Sequence, residues 1–422
     1  MTRPYKTPKT AWLGPRAEWI DWFALGTVLA LTALPHYALL RLPVSTYTIW
    51  GPEILYGLLS AISVACIAMR GNSTERILFG LFVILVFAVY LALSITVLSF
   101  SVQSCMSQVR FFLPFIAASL VVNAAWNLRL SLVIKCIALV CTASGILAII
   151  LNLEFPDFYQ TLHVDNEISK SMAKEGRLFW SSASSALVVP LIFVVPMRWF
   201  LRLPILILVT SAVAMTQSRT LLFGYLGLTL VLITQSSRSP LRTLVFITCV
   251  LTSIAAIAYS TLDDQIVMGF TNRFGLNENF NEAINTAIID GRGELFEYYA
   301  SQLQNYRVLG GGFGLPLFIL QDQTPVFTSD VSFLSFYFPM GIPGVFLLGT
   351  FLWNCWRCVR TASRRFDVHT ISTGLQSVLC MACILSINLD LFSRSLFIVM
   401  FAFLIAILKS NCSWSPRFTS QK

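Results

Sequence analysis

Between Thr261 and Asp330 the chain gathers arginines, glycines and carboxylates, whereas most of the rest is apolar. Arg273, Arg292 within Asp290-Gly291-Arg292-Gly293-Glu294, the run Leu309-Gly310-Gly311-Gly312-Phe313-Gly314 and the pair Ser329-Asp330 follow one another there. Guanidinium forks suit the paired oxygens of a phosphoryl group. Glycines without Cβ let backbone N–H groups converge on an anion, and they also make tight turns; Gly311 and Gly312 are open to both readings. Asp330 precedes Val331-Ser332-Phe333-Leu334, where it either caps a helix or holds a carboxylate able to take a proton from a hydroxyl. Outside this stretch, Arg219 lies in Thr216-Gln217-Ser218-Arg219-Thr220, between two apolar runs. Ser218 and Thr220 are placed to cap the second run, whose positive end would join Arg219 in attracting a diphosphate; an arginine reaching for lipid headgroups has the same sequence. Arg177, in Glu175-Gly176-Arg177-Leu178-Phe179-Trp180, either pairs with acidic neighbours or faces the same pocket as Arg219.

Other spacings carry less chemistry. His163 and Asp165 read as a proton-relay pair or as solvated loop residues, and Asp390 and Arg394 are spaced for an i,i+4 ion pair. Cys355-x-x-Cys358 and Cys380-x-x-Cys383 have metal-like spacing, but one pair falls at a helix edge and the other inside an apolar run. The ten cysteines therefore read as small packing residues, with no metal site expected.

The elements that position these residues follow from composition. A chain 56% hydrophobic and 12% charged, with a mean hydropathy of +0.74, lies outside the range of soluble domains, which carry about 25% charge. The apolar runs are long and non-alternating, so backbone groups in lipid must be satisfied within helices. An all-α polytopic membrane protein is expected, with about twelve spans near 20–40, 53–69, 77–100, 110–123, 132–151, 182–197, 203–217, 220–235, 241–259, 331–354, 371–388 and 393–408. The first run is expected to serve as the insertion signal, with no cleavable signal peptide before it.

Lys and Arg on alternate sides give orientation. With the N-terminus inside, nineteen fall on the cytoplasmic side and ten outside, so both termini are expected in the cytoplasm and the long loop between spans nine and ten in the periplasm. The net charge of +9 is thus a topology signal and calls for no nucleic-acid partner. One membrane domain, 1–422, is expected, interrupted by a first outer loop at 152–180 and the large loop at 261–330. Within the latter, Leu295, Phe296, Tyr299 and Leu303 share one face of an expected amphipathic helix lying on the bilayer or the bundle.

In order, Gly176-Arg177-Leu178-Phe179, Thr216-Gln217-Ser218-Arg219-Thr220, Gly291-Arg292-Gly293-Glu294-Leu295-Phe296, Leu309-Gly310-Gly311-Gly312-Phe313-Gly314, Ser329-Asp330-Val331-Ser332-Phe333-Leu334 and Gly341-Ile342-Pro343-Gly344 resemble the O-antigen ligase and Wzy-type polysaccharide polymerase superfamily of bacterial inner-membrane glycosyltransferases. The resemblance covers about residues 170–355 by motif and the rest by topology. It implies a glycan carried on undecaprenyl diphosphate, with Arg219 and Arg292, helped by Arg177 and the glycines, holding the diphosphate and Asp330 acting as general base. Ligases of that superfamily place a histidine where this chain has Asp330, a departure that favours polymerisation of lipid-linked repeat units over transfer to lipid A core. No metal or cofactor is implied; a flippase and a chain-length regulator would be partners. The competing class is a flippase or transporter, which should show repeated halves with helix-breaking or charged residues near mid-bilayer.

Overall fold

The computed structural model describes residues 18–35, 41–44, 47–70, 74–161, 178, 180, 182–236, 248, 308–315, 318–319, 325–326, 331–363, 369–387, 389–393 and 395–413. Helices dominate: α1 (Trp19–Ala33), α2 (Gly51–Met69), α3 (Thr74–Thr96), α4 (Val102–Val109), α5 (Leu113–Val121), α6 (Leu130–Glu154), α7 (Pro156–Thr161), α8 (Trp199–Met215), α9 (Arg219–Ser236), α10 (Ser332–Ser363), α11 (His369–Leu385) and α12 (Leu396–Ser413). Two short antiparallel hairpins accompany them, β1 (Arg41–Val44) with β2 (Tyr47–Trp50) and β3 (Phe318–Ile319) with β4 (Pro325–Val326). Every predicted span coincides with a helical segment except 241–259, of which residue 248 alone is described. Among the described residues, 5 helical segments are long and apolar enough to cross a membrane by length and composition, and shorter apolar helices stand beside them. The chain is helical, with the character of a multi-pass membrane protein.

α12 is the central post. From Phe397 to Leu408 it is apolar and buried on every side, which a helix tolerates only when other helices surround it. α5, α10, the 3₁₀ helix Ala183–Phe193, α6 and α1 pack around it. α3 is peripheral and leaves Leu78, Leu81, Phe82, Leu85 and Val89 exposed, an apolar face that suits lipid. α1 and α2 run in opposite directions, the start of α1 meeting the end of α2 through Asp21 and Arg70, and so do α10 and α11, joined start to end through Ser332 and Ser386.

Two segments depart from expectation. The short predicted span 110–123 is lengthened by α4 and a 3₁₀ turn, Arg110–Phe112, so that Val102–Val121 forms one 20-residue segment. Ser101 caps α4 by accepting the Ser104 N–H at 3.1 Å; of the polar residues that disguise α4 as a loop, Ser104 accepts the Ser101 hydroxyl and Gln108 bonds another segment. The predicted span 182–197 is largely a 3₁₀ helix of 11 residues. The 3₁₀ rise of about 2.0 Å per residue makes this run longer than the same residues would be as an α-helix at about 1.5 Å each.

Candidate functional site

The site assembles at the end of the bundle where α8 finishes and α9 begins. α8 stops at Met215; the Thr216 hydroxyl donates to the Val213 carbonyl at 2.6 Å, and Gln217, buried, takes a left-handed φ of 52°. Glycine is the usual residue there, and a glutamine carries a strain of about 1–2 kcal/mol. Arg219 opens α9 and is partly buried. Of the two expected caps, Ser218 takes the position, its hydroxyl accepting the Leu221 N–H at 3.5 Å, while Thr220 lies inside the helix.

Other segments are tied to the same end. The Leu178 N–H donates to the Met215 carbonyl at 2.9 Å, four residues before Arg219. Trp180 donates its indole N–H to the Ser144 hydroxyl at 3.0 Å, and its ring stands so close to Gly145 that an added methyl would touch it and Ala212. Arg177, the residue before Leu178, lies outside the described residues. The Ser332 N–H donates to the Ser386 carbonyl at 3.1 Å, placing the start of α10 on the end of α11. Asp330, two residues earlier, also lies outside the described residues. α11 in turn packs on Arg219's helix, where a methyl on Gly224 would strike the Leu385 side chain.

The glycine run and the Gly341-Ile342-Pro343-Gly344 turn, separate in sequence, form one unit. Gly341 takes φ 62° and ψ −145°, interrupting α10. The Ile342 N–H leaves its helical partner and donates to the Val308 carbonyl at 3.0 Å, and Pro343 has no N–H to offer Pro339. The two released carbonyls are taken by the run: Gly311 N–H donates to Phe338 at 2.7 Å and Gly312 N–H to Pro339 at 3.0 Å. The Phe313 N–H then donates to the Ser94 hydroxyl at 2.7 Å and the Gly314 N–H to Gln108 Oε1 at 2.6 Å, while Cys105 Sγ donates to the Phe313 carbonyl at 3.0 Å. Phe313 is fully buried, stacked on Phe87 at 5.8 Å and edge-on to Phe112 at 5.8 Å, in an aromatic cluster continued by Phe115, Phe336 and Phe351. Irregular backbone inside such a bundle is stable only when protein satisfies its polar groups, and here it does. The amides of Gly311 and Gly312, which the anion reading offers to phosphate, instead close a break in α10.

Arg292, Arg273, Arg307 and the amphipathic stretch 293–306 lie outside the described residues, as do His163, Asp165 and Arg394. Asp390 is buried; it accepts from the Ser335 hydroxyl at 2.9 Å, the Ser393 N–H at 3.0 Å and the Ser393 hydroxyl. These serines are hydrogen-bond partners of Asp390 that spacing missed, because a hydroxyl in an apolar run gives no periodic signal. Cys355 is buried while Cys380 and Cys383 are exposed, and among the described residues no group of three or more His, Cys, Asp or Glu side chains gathers as a metal site would.

At the opposite end Asp21 is fully buried against Arg70, which donates to Oδ1 and Oδ2 at 2.8 Å each and to the Ala125 carbonyl. The Asn127 and Glu18 N–H groups complete the carboxylate's partners at 3.0 and 2.9 Å. Hydrogen bonding to Asp21 holds the Arg70 guanidinium above its usual pKa. This network staples α1, α2 and the α5–α6 connection. No known protein-family model and no curated protein sequence matches this chain.

Proposed function

We propose that this chain is a membrane glycosyltransferase that polymerises undecaprenyl-diphosphate-linked oligosaccharide repeat units into O-antigen, capsular or exopolysaccharide. It would do so on the periplasmic face of the inner membrane, with about twelve spans and both termini in the cytoplasm. One observation carries the reading. Leu178, Arg219 and Ser332, remote in sequence, are held at connected helix ends by the Leu178–Met215 and Ser332–Ser386 hydrogen bonds and the Gly224–Leu385 contact. Arg177 directly precedes Leu178 in the sequence, and Asp330 precedes Ser332 by two residues. The strained Gln217 beside Arg219 adds weight, since such backbone clusters at working sites.

In the proposed mechanism the glycan sits on a lipid diphosphate, and the hydroxyl of a second lipid-linked unit attacks its anomeric carbon. Asp330 accepts the hydroxyl proton. Arg219 and Arg292, with Arg177, stabilise the negative charge that grows on the departing diphosphate, so positioned guanidinium groups do what a metal ion does elsewhere. A single displacement inverts the anomeric centre. The amides of Gly311 and Gly312 have no part in it; they hold α10 and the chain leading from the large loop together.

The test is to incubate purified protein with a lipid-linked oligosaccharide and resolve the products. A ladder of increasing length that disappears in Asp330→Asn supports the polymerase. Transfer only to lipid A core identifies a ligase. Substrate that crosses the bilayer of a proteoliposome without elongation would place the chain among transporters and end the proposal.

A further inference from the structure

We infer that Asp390 is a positioning residue, which with Ser332, Ser335 and Ser393 clamps the first turn of α10 to the α11–α12 connection and so fixes where the chain carrying Asp330 enters the bundle. The inference rests on the reading of Asp330 as general base. Ser332 is nearly inaccessible and bonds in three directions: its N–H donates to Ser386, its hydroxyl donates to the Leu389 carbonyl at 3.2 Å, and the same oxygen accepts the Leu391 N–H at 3.0 Å. One turn further along α10, the Ser335 hydroxyl donates to Asp390 Oδ2 at 2.9 Å. The connection closes on itself at the same atoms, with the Ser393 N–H on Oδ1 at 3.0 Å and the Ser393 hydroxyl on Oδ2.

A helix start needs no such arrangement merely to satisfy its amides; one capping hydroxyl suffices. Here buried polar groups join the first turn of α10 to a different part of the chain, at two levels one turn apart, which removes both tilt and rotation. Asp330 lies two residues before that turn in the sequence, so the clamp fixes the point at which the chain that carries it joins α10. A general base displaced by about 1 Å loses roughly 100-fold in rate, which is the effect such a clamp prevents. Asn at position 390 would keep one acceptor oxygen for three donors and turn an amide N–H₂ toward at least one of them.

Two readouts test this. In the polymerisation assay, Asp390→Asn should lower kcat about 10–100-fold with KM for the lipid-linked donor changed by less than about twofold, because binding is kept and only the reacting geometry is lost. Independently of what the protein makes, cysteines introduced by Ser332→Cys with Leu391→Cys should oxidise to a disulfide, read by mass spectrometry of the linked peptides, and do so more slowly when Asp390→Asn is added. Wild-type kcat in Asp390→Asn overturns the proposal even if Asp330→Asn is inactive and the base reading stands. Wild-type turnover in Asp330→Asn sinks the base reading, and with it any role for the clamp in placing a base. Should Asp390→Asn fail to fold, Ser335→Ala removes one donor and leaves the carboxylate; it should show the same split at several-fold amplitude, and unchanged kcat there is equally fatal.

Discussion

Gly312→Ala tests whether the glycine run is a structural latch. Gly312 has φ 78°, where a side chain costs about 1–2 kcal/mol. Its new Cβ would fall 2.8 Å from Ser94 Oγ and closer still to a Leu98 methyl. Ser94 Oγ is the acceptor of the buried Phe313 N–H, and displacing it leaves that amide unpartnered, at a cost of about 1–3 kcal/mol. The sum is about 2–5 kcal/mol. Gly26→Ala is the internal control: Gly26 lies within α1 with nothing within 4 Å of its would-be Cβ, so alanine should gain up to about 1 kcal/mol of helix propensity. Thermal unfolding of the purified protein in detergent should show Gly312→Ala melting several degrees below wild type and Gly26→Ala at or above it. Phe313→Ala, which deletes a fully buried ring, should fall by a comparable amount, about 3–5 kcal/mol. A Gly312→Ala protein that melts with the wild type would refute the latch and reopen the anion reading of its amides.

Three further outcomes are expected. Asp21→Ala should destabilise by up to about 3 kcal/mol by removing the buried carboxylate and leaving Arg70 only the exposed one of Glu18, whereas Asp21→Leu with Arg70→Met should recover part of the loss; equal unfolding midpoints for the two would contradict the account of that network. Arg219→Lys keeps the charge but loses the planar fork, so polymer should drop steeply at unchanged protein abundance, and full-length polymer at wild-type yield would remove Arg219 from the diphosphate clamp. Pro343→Ala supplies an N–H that competes with Gly312 for the Pro339 carbonyl, so deuterium exchange at the Gly312 amide should accelerate; protection equal to wild type would mean the proline is not what frees that carbonyl.

Much of the scaffold was legible in the sequence, because lipid leaves a long apolar run little choice but helix. Composition decided the membrane class, the apolar runs located the helices, and the Gln217-Ser218-Arg219 turn between α8 and α9 fell where the polar break in the apolar pattern put it. Short-range signals also read correctly at Ser218, whose hydroxyl caps the helix that follows. The 3₁₀ helix was hidden, since its residues look like any other apolar run.

The tertiary structure alone decided what the polar groups do. Gly311 and Gly312 have the composition of an anion nest, yet their amides go to Phe338 and Pro339, because Ile342 and Pro343 leave those two carbonyls without helical partners. Asp390, spaced for an ion pair with Arg394, a residue outside the described ones, also meets serines from α10 and from its own turn, which spacing does not foretell. A residue type and its spacing determine which hydrogen bonds it is able to make; which partner it meets depends on unsatisfied groups brought alongside from distant parts of the chain, and those are known only once the helices have packed.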